Sequence, residues 1–316
     1  MTHHPTLSVV IPTYQRPVWI RRAVRSLIQQ PRPPAEVVAV ARDTDIPTHE
    51  AIAELQRESL PFELRRELVS EPGFMPPVKV GLAAATGEII AVMDDDAEAQ
   101  EGWTERLVGH YADATIGAVG GRCINVHADD GPVDVPTTDR VGYVSPLGRF
   151  VGKMYCRPTF SQPVDVDFML GGNMSFRREV AHRIEFDMQL NRNVAQGYEV
   201  DIGLQVRGMG WRVIFDPLLA IRHYSAPRET IGLRVSDFES IKWYSYNHTR
   251  VALRRLSFLR KSVSFVYQIA IGERRAPGVL PFALAPIARR LGFDVAFAGA
   301  ALEGRVLAAR SVIGHN

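Results

Sequence analysis

Over the first 120 residues, short apolar runs alternate with stretches of helical periodicity. LSVVIP (7–12) is a β-branched run ending at Pro12, the pattern of a buried strand. Ile20, Ala23, Val24, Leu27 and Ile28 then recur at helical spacing between residues 18 and 30, and Pro31, Pro33 and Pro34 stop that helix. EVVAVA (36–41) predicts a second strand, 48–58 a second helix, and FELRREL (62–68) a third, more exposed strand. A short helix over 79–85 stops at Thr86-Gly87, and GEIIAVMDDD (87–96) gives an apolar strand that runs into acid. Strand–helix repetition of this kind predicts an α/β fold, a mostly parallel sheet with helices on both faces. Ligands collect at the carboxyl ends of such strands, where Pro12-Thr13-Tyr14 and Asp94-Asp95-Asp96 fall.

Residues 125–165 lose the periodicity and gain Pro, Gly and Asp, which predicts a long, partly irregular insertion over the sheet edge. Order returns at 167–184, read as a strand or turn followed by a helix. A helix start follows over 199–207, then a strand at 211–217 and a further strand or extended segment at 218–224. From about Thr230 the pattern is mainly helical. The expected division is a ligand-binding and catalytic domain over 1–228 and a helical extension over 229–316.

Composition narrows the class. The chain has 316 residues, enough for a large core without disulfide staples. Its two cysteines, Cys123 and Cys156, form neither a CxxC pair nor a four-ligand zinc site and suit a reducing compartment. With 37 basic against 35 acidic residues the net charge is +2, which argues against a nucleic-acid partner. The opening MTHHPTLSVVIPTY has no signal-peptide pattern, and no apolar stretch reaches the roughly 18–20 residues of a membrane span. The expectation is a cytoplasmic protein.

Three segments carry candidate chemistry. Adjacent carboxylates Asp94, Asp95 and Asp96 repel one another at a strand end, and a hard divalent cation such as Mg²⁺ or Mn²⁺ relieves that repulsion. In extended backbone Asp94 and Asp96 project to the same side; a solvated acidic turn is the plainer reading. In GGNMSFRR (171–178), Gly171 and Gly172 allow close backbone approach, a following helix offers its N–H dipole to anions, and Arg177 and Arg178 add charge. The alternative there is a turn-to-helix junction. In GYEVDIGLQVR (197–207), Glu199 and Asp201 sit at a helix start, where carboxylates are favoured whatever their function, and His223 follows an apolar run.

Taken in order, these segments resemble family 2 glycosyltransferases of the A type (GT-A). LSVVIPTYQR resembles the opening strand of that family, GEIIAVMDDDAE the strand ending in its DxD metal motif, and FMLGGNMSFRR its GGNxAFRR segment. GYEVDIGLQVRGMGWRVIFDP resembles its acidic helix and following strand, and IRHY matches the place of its closing histidine. The likeness covers about residues 7–225. It implies a metal-dependent, inverting transfer of a sugar from a nucleoside-diphosphate donor to an acceptor hydroxyl, in glycan or glycolipid biosynthesis such as that of the cell envelope. The acceptor would be a glycan, a lipid-linked group or a small molecule.

Carried over by residue, the resemblance puts Pro12, Thr13 and Tyr14 against the nucleobase and ribose, with Arg16 and Asp95 also on the donor side. Asp94 would meet the ribose or sugar. Asp96 would hold Mg²⁺ or Mn²⁺ with help from His223, and Gly171, Gly172 and Asn173 would line the sugar and acceptor side. Glu199 falls at the place of the catalytic base. The chain departs from the family in three places. AVARDTD replaces the usual VDDGSTD, with Asp43 as the acid shifted toward the base-contacting position. PVKVG replaces ARNxG and offers Lys79 to phosphate. Tyr198-Glu199 replaces the Glu-Asp pair, leaving Glu199 or Asp201 as the base. The first and third of these departures also motivate an alternative, a catalytically impaired nucleotide-sugar-binding or assembly subunit. TRVALRRLSFLRK (249–261), basic with interleaved apolar residues, suits peripheral contact with the inner face of a membrane, packing on the catalytic domain, or a homo-oligomer contact.

Overall fold

The computed structural model describes residues 4–126, 133–192, 195–224 and 237–313. The first part of the chain alternates β1 (Leu7–Thr13), α1 (Pro17–Ile28), β2 (Glu36–Arg42), α2 (Ile46–Gln56), β3 (Glu63–Val69), α3 (Met75–Ala84) and β4 (Ile89–Met93). There follow β5 (Ala97–Ala99), α4 (Trp103–His110) and β6 (Ile116–Asn125). The insertion contributes only two-residue strands: β7 (Thr137–Thr138), β8 (Tyr143–Val144), β9 (Phe150–Val151), β10 (Arg157–Pro158) and β11 (Val164–Asp165). Then come β12 (Asn173–Arg177), α5 (Arg178–Ala181), α6 (Tyr198–Gly208) and β13 (Arg212–His223). The helices α7 (Asp237–Arg255), α8 (Phe258–Ala270), α9 (Val279–Ala283), α10 (Ala285–Arg290) and α11 (Ala298–Ile313) complete the chain.

The chain divides into two compact units. One comprises Met1–Tyr143, Gly152–Phe186 and Ile202–Glu229. The other comprises Val144–Val151, Asp187–Asp201 and Thr230–Asn316. In place of the single cut expected after residue 228, two earlier segments join the helical unit. Side chains far along the chain tie them there. Arg250 pairs with Asp187, Asn247 donates to the carbonyls of Leu190 and Gln196, and Arg260 donates to those of Val144 and Ser145.

The first unit is built on a nine-stranded sheet in the order β11-β13-β6-β12-β4-β1-β2-β3, with β5 paired to β13. Strands β1, β2, β3, β4, β6 and β13 run one way, so the sheet is mostly parallel; β5, β11 and β12 oppose them. Alternation along the strands sorts the two faces. Val9, Ile11, Val37 and Ala39 join Ile20, Val24 and Leu27 of α1 and Ala51, Ile52 and Leu55 of α2 in one core. Val10 and Val40 take the opposite face, against α3. A Cβ on Gly81 would lie 2.1 Å from Val10 Cγ1, so only glycine lets that helix sit so close.

Two local readings change. The segment 211–224 is one strand, not two. Asp216 pairs with Gly121 and Ala220 with Arg122, so Pro217, Leu218 and Leu219 bulge out of the ladder. A Cβ on Gly121 would lie 1.8 Å from the Leu219 carbonyl, and the Asp216 carboxylate accepts the Leu218 N–H. The residues after Gly172 form the strand β12, and α5 has four residues, Arg178–Ala181. The helix dipole expected beside Gly171 and Gly172 is therefore not there. Because β12 runs antiparallel to β4, Arg177 and Arg178 lie at the opposite end of the sheet, beside the start of β4. Their guanidinium groups donate to the carbonyls of Ile116, Tyr111, Asp113 and Thr86, not to the strand ends that carry the acids.

Candidate functional site

The three aspartates follow directly on β4 and are framed by its neighbours. β1 lies on one side in parallel register, and on the other Asn173 of β12 pairs with Met93. β13 brings His223 opposite Ala97 of β5 and Asn125 of β6. The bulge in β13 carries the strand past Leu219 so that it ends here.

One ligand atom from each of Asp94, Asp96 and His223 lies within 4.8 Å of the others. His223 Nε2 is 3.3 Å from Asp96 Oδ1 and 3.7 Å from Asp94 Oδ2. Its other nitrogen, Nδ1, lies 3.3 Å from Asn125 Oδ1, which turns Nε2 toward the acids, the usual second contact of a ligating imidazole. Asp94 Oδ1 is buried and has no hydrogen-bond partner among the described residues. Two carboxylates, an imidazole and an orphaned carboxylate oxygen fit a hard or borderline divalent cation.

Electrostatics point the same way. Burial, then repulsion from Asp96, raises the Asp94 carboxyl to about 7, although His223 and Arg16 pull it down. Burial likewise raises Asp95 to about 6, against the pull of Arg16. Burial disfavours the charged form of His223, but the hydrogen bond to Asp96 and the charges of Asp96 and Asp94 prevail and raise its pKa. Without a cation, the cluster holds its negative charge only against a cost that protons and Arg16 partly relieve.

Arg16 and Asp95 play inward roles. Arg16 Nη1 lies 2.7 Å from Asp95 Oδ1 and 3.0 Å from Asp96 Oδ2. Asp95 is buried in this ion pair. Asp96 is thereby held by Arg16 at one oxygen and faces His223 with the other.

Gly172 lies against Asp94. A Cβ there would stand 2.2 Å from Asp94 Oδ2, so the absence of a side chain makes room for the carboxylate. Gly171 is buried beside it. Asn173 differs from expectation, being fully buried with both ends of its amide engaged. Nδ2 donates to the carbonyls of Arg122 and Leu219, and Oδ1 accepts the Trp103 indole N–H at 3.1 Å. It braces β12 against β6 and the β13 bulge and has no amide group left over for a sugar.

On the β1 side, Pro12 and Thr13 are buried and Tyr14 is exposed, with the Arg42 guanidinium 5.2 Å from its ring centre. Asp43 is exposed on the loop after β2, and Lys79 is exposed on α3. A second acid on this side, absent from the sequence expectations, shapes this turn. Asp45 is buried; one oxygen caps α2 by accepting the Thr48 N–H, and the other accepts the N–H of Gln15. Gln15 has φ 55°, a left-handed conformation that this contact holds in place. Asp45 three residues before Thr48, with Pro47 between, is a helix-start pattern that gave a local signal. Its reach to Gln15 had none.

The helical unit holds the two candidate bases. Asp201 is buried and gripped by Arg255, Nε to Oδ1 at 2.6 Å and Nη2 to Oδ2 at 3.0 Å. Glu199 is half-buried, and its Oε2 accepts the Gly197 N–H at 3.2 Å. Asp201 is thus committed to a bidentate ion pair with Arg255.

The family model described as glycosyl transferase family 2 matches residues 8–184. The O-antigen biosynthesis protein RfbC of Myxococcus xanthus is 26% identical over 259 residues, which are 77% of this chain and 19% of that protein. An uncharacterized glycosyltransferase of Nostoc, alr2836, is 23% identical over 56% of this chain and 52% of its own length. The chain thus spans about a fifth and about half of these curated relatives. Among solved structures, GalNAc-T7 with UDP, GalNAc and Mn²⁺ superposes with a TM-score of 0.59 at 16% identity, covering 93% of this chain and 59% of that one. The mannosyltransferase PcManGT of Pyrobaculum calidifontis, in complex with GDP-Man and Mn²⁺, gives 0.54 at 18% identity, covering 98% and 87%. These structures share the GT-A fold.

Proposed function

The chain belongs to glycosyl transferase family 2, and from that membership we propose a cation-dependent transfer of a sugar from a nucleoside diphosphate to an acceptor hydroxyl. The observation that carries this reading is the convergence of Asp94, Asp96 and His223 on one point, with an unpartnered Asp94 oxygen and no side chain at Gly172. Asp94, Asp96 and His223 Nε2 would hold the ion, Mg²⁺ or Mn²⁺. When bound, it would offset the charge that develops on the departing diphosphate. Mn²⁺ in the two solved structures named above supports the choice of metal.

Arg16 fixes the orientation of Asp96, and Asn125 that of the His223 ring. Tyr14, exposed at the end of β1, is suited to stack on a base, and Lys79 supplies a positive charge for phosphate. Glu199 takes the proton from the acceptor hydroxyl as that oxygen attacks the anomeric carbon on the face opposite the leaving group, which inverts the configuration. The bidentate hold of Arg255 on Asp201 favours Glu199 over Asp201 for this role. The name of the Myxococcus relative supports a cell-envelope glycan as the product.

A thermal-shift screen of UDP-, GDP- and dTDP-sugars with and without Mn²⁺ tests the reading, because a ligand bound only by the native state raises its melting temperature. At least one donor should stabilise the protein in Mn²⁺ alone and be turned over with a suitable acceptor or by slow hydrolysis. Metal-dependent binding with no turnover under any condition would favour the impaired subunit instead. No stabilisation by any donor would remove the reading.

A further inference from the structure

The helix α8 is apolar on its outside. Its buried positions are Ser264 and Gln268, and its opposite arc carries Phe258, Leu259, Val263 and Val266, exposed by 80%, 73%, 36% and 66%. A helix that merely covered a core would show the reverse. The reversal continues in the next two helices. In α9, Val279, Leu280 and Phe282 are exposed while Pro281 is buried, and in the α10 stretch Leu284, Ile287 and Leu291 are exposed. α9 packs against both α8 and α10, so these side chains belong to one neighbourhood of the helical unit. By contrast, Val251, Ala252 and Leu256, the first half of the basic stretch 249–261, are buried within the unit. Arg254 apart, the exposed residues of that stretch lie in its second half, from Ser257 to Arg260.

The charges around these side chains are mostly positive, with one exposed acid, Asp294, at the end of the stretch. Between residues 257 and 293 the exposed charged residues are Arg260, Arg274, Arg275, Arg289 and Arg290, with Lys261 half-buried. The single acid within that range, Glu273, is half-buried and accepts the Tyr244 hydroxyl hydrogen bond at 2.8 Å. A second copy of the chain is a poor occupant, because an isologous interface would set these arginines against themselves. An anionic bilayer meets both requirements: headgroups for the guanidinium groups, and acyl chains for phenylalanine and leucine side chains that project from short helices.

We propose that the α8–α10 face of the helical unit docks on an anionic lipid surface, lying in the interface without crossing it. In keeping with that, no helix among the described residues is long and apolar enough to span a bilayer. The proposal uses only the helical unit, so its failure would leave the transfer reading intact.

Co-sedimentation of the full chain with vesicles is the test. Vesicles of phosphatidylcholine containing about 30% phosphatidylglycerol should bind it at least about tenfold more tightly than phosphatidylcholine alone, and raising salt from about 50 to about 300 mM should weaken binding. Phe258→Ser with Leu259→Ser, and separately Arg289→Gln with Arg290→Gln, should each reduce binding about tenfold with unchanged melting temperature. Should the first pair lower the melting temperature, Phe282→Ser supplies the apolar test at another site. Absence of binding to the anionic vesicles, or binding unaltered in all of these variants, overturns the proposal. So does light scattering that finds a dimer broken by the same substitutions in a protein that ignores lipid.

Discussion

Gly172 and Asp94 compete for the same space, and the outcome decides whether the site exists. In Gly172→Ala the new methyl would meet Asp94 Oδ2 at 2.2 Å, against backbone that β12 pins to β4. Either the carboxylate turns away or the strand shifts. The expected result is a fold that persists with its Mn²⁺-induced rise in melting temperature largely lost, which thermal shift with and without the metal would read. The two candidate bases separate by a similar argument. Glu199→Gln should lower turnover about 10²–10⁴-fold and leave donor affinity and melting temperature nearly unchanged. Asp201→Asn should instead destabilise the protein by about 3 kcal/mol, because it removes the buried carboxylate from a bidentate ion pair with Arg255. Denaturant melts of both variants beside single-turnover rates would assign the roles. If Glu199→Gln kept normal turnover at saturating donor, the base would have to be sought elsewhere.

Among the elements, the turn from β1 into α1 depends on an acid from the start of α2. Asp45→Ala removes both the cap on Thr48 N–H and the acceptor for Gln15 N–H. The cap alone accounts for about 1 kcal/mol. Donor affinity should fall as well, since the turn carries Tyr14 and Arg16, and calorimetric titration of a nucleoside diphosphate would measure that fall. A variant weakened only in stability would show that the turn holds its shape unaided. What was legible in the chain follows the range of the forces involved. The β-branched runs at 7–12, 36–41 and 89–93 announce their strands because burial on both faces leaves a continuous apolar signature. The aspartates at the end of β4 announce a charge problem by adjacency alone. The bulge at Pro217–Leu219 and the pairing of Asp201 with a residue 54 positions away depend on partners far along the chain, and no local pattern encodes them. Asn173 opens β12, and its side chain faces Trp103 and backbone carbonyls, because the buried amide must be satisfied there.

For the molecule as a whole, the acid cluster links stability, pH and metal. Asp94 and Asp95 have folded-state pKa values raised to about 7 and about 6, so their contribution to stability is full below their unfolded value near 4 and is lost as pH rises through 6 and 7. His223, also raised, loses its contribution in the same direction. A divalent cation binds the deprotonated forms and should reverse this loss. The gain in melting temperature on adding Mn²⁺ is therefore expected to be larger at about pH 7.5 than at about pH 5.5, and a gain independent of pH would argue against these carboxylates as ligands. Asp96→Ala should abolish the gain at both values. The helical unit adds a separate dimension, a basic and apolar face that would bring the enzyme to a lipid surface whether or not its site is loaded. The account as a whole turns on where the ion sits. Anomalous diffraction at the manganese edge, from crystals soaked with Mn²⁺ and a nucleoside diphosphate, locates it directly. The prediction is a peak between Asp94, Asp96 and His223 Nε2 with the diphosphate beside it; a peak elsewhere, or a nucleotide bound with those three side chains uncoordinated, would contradict it.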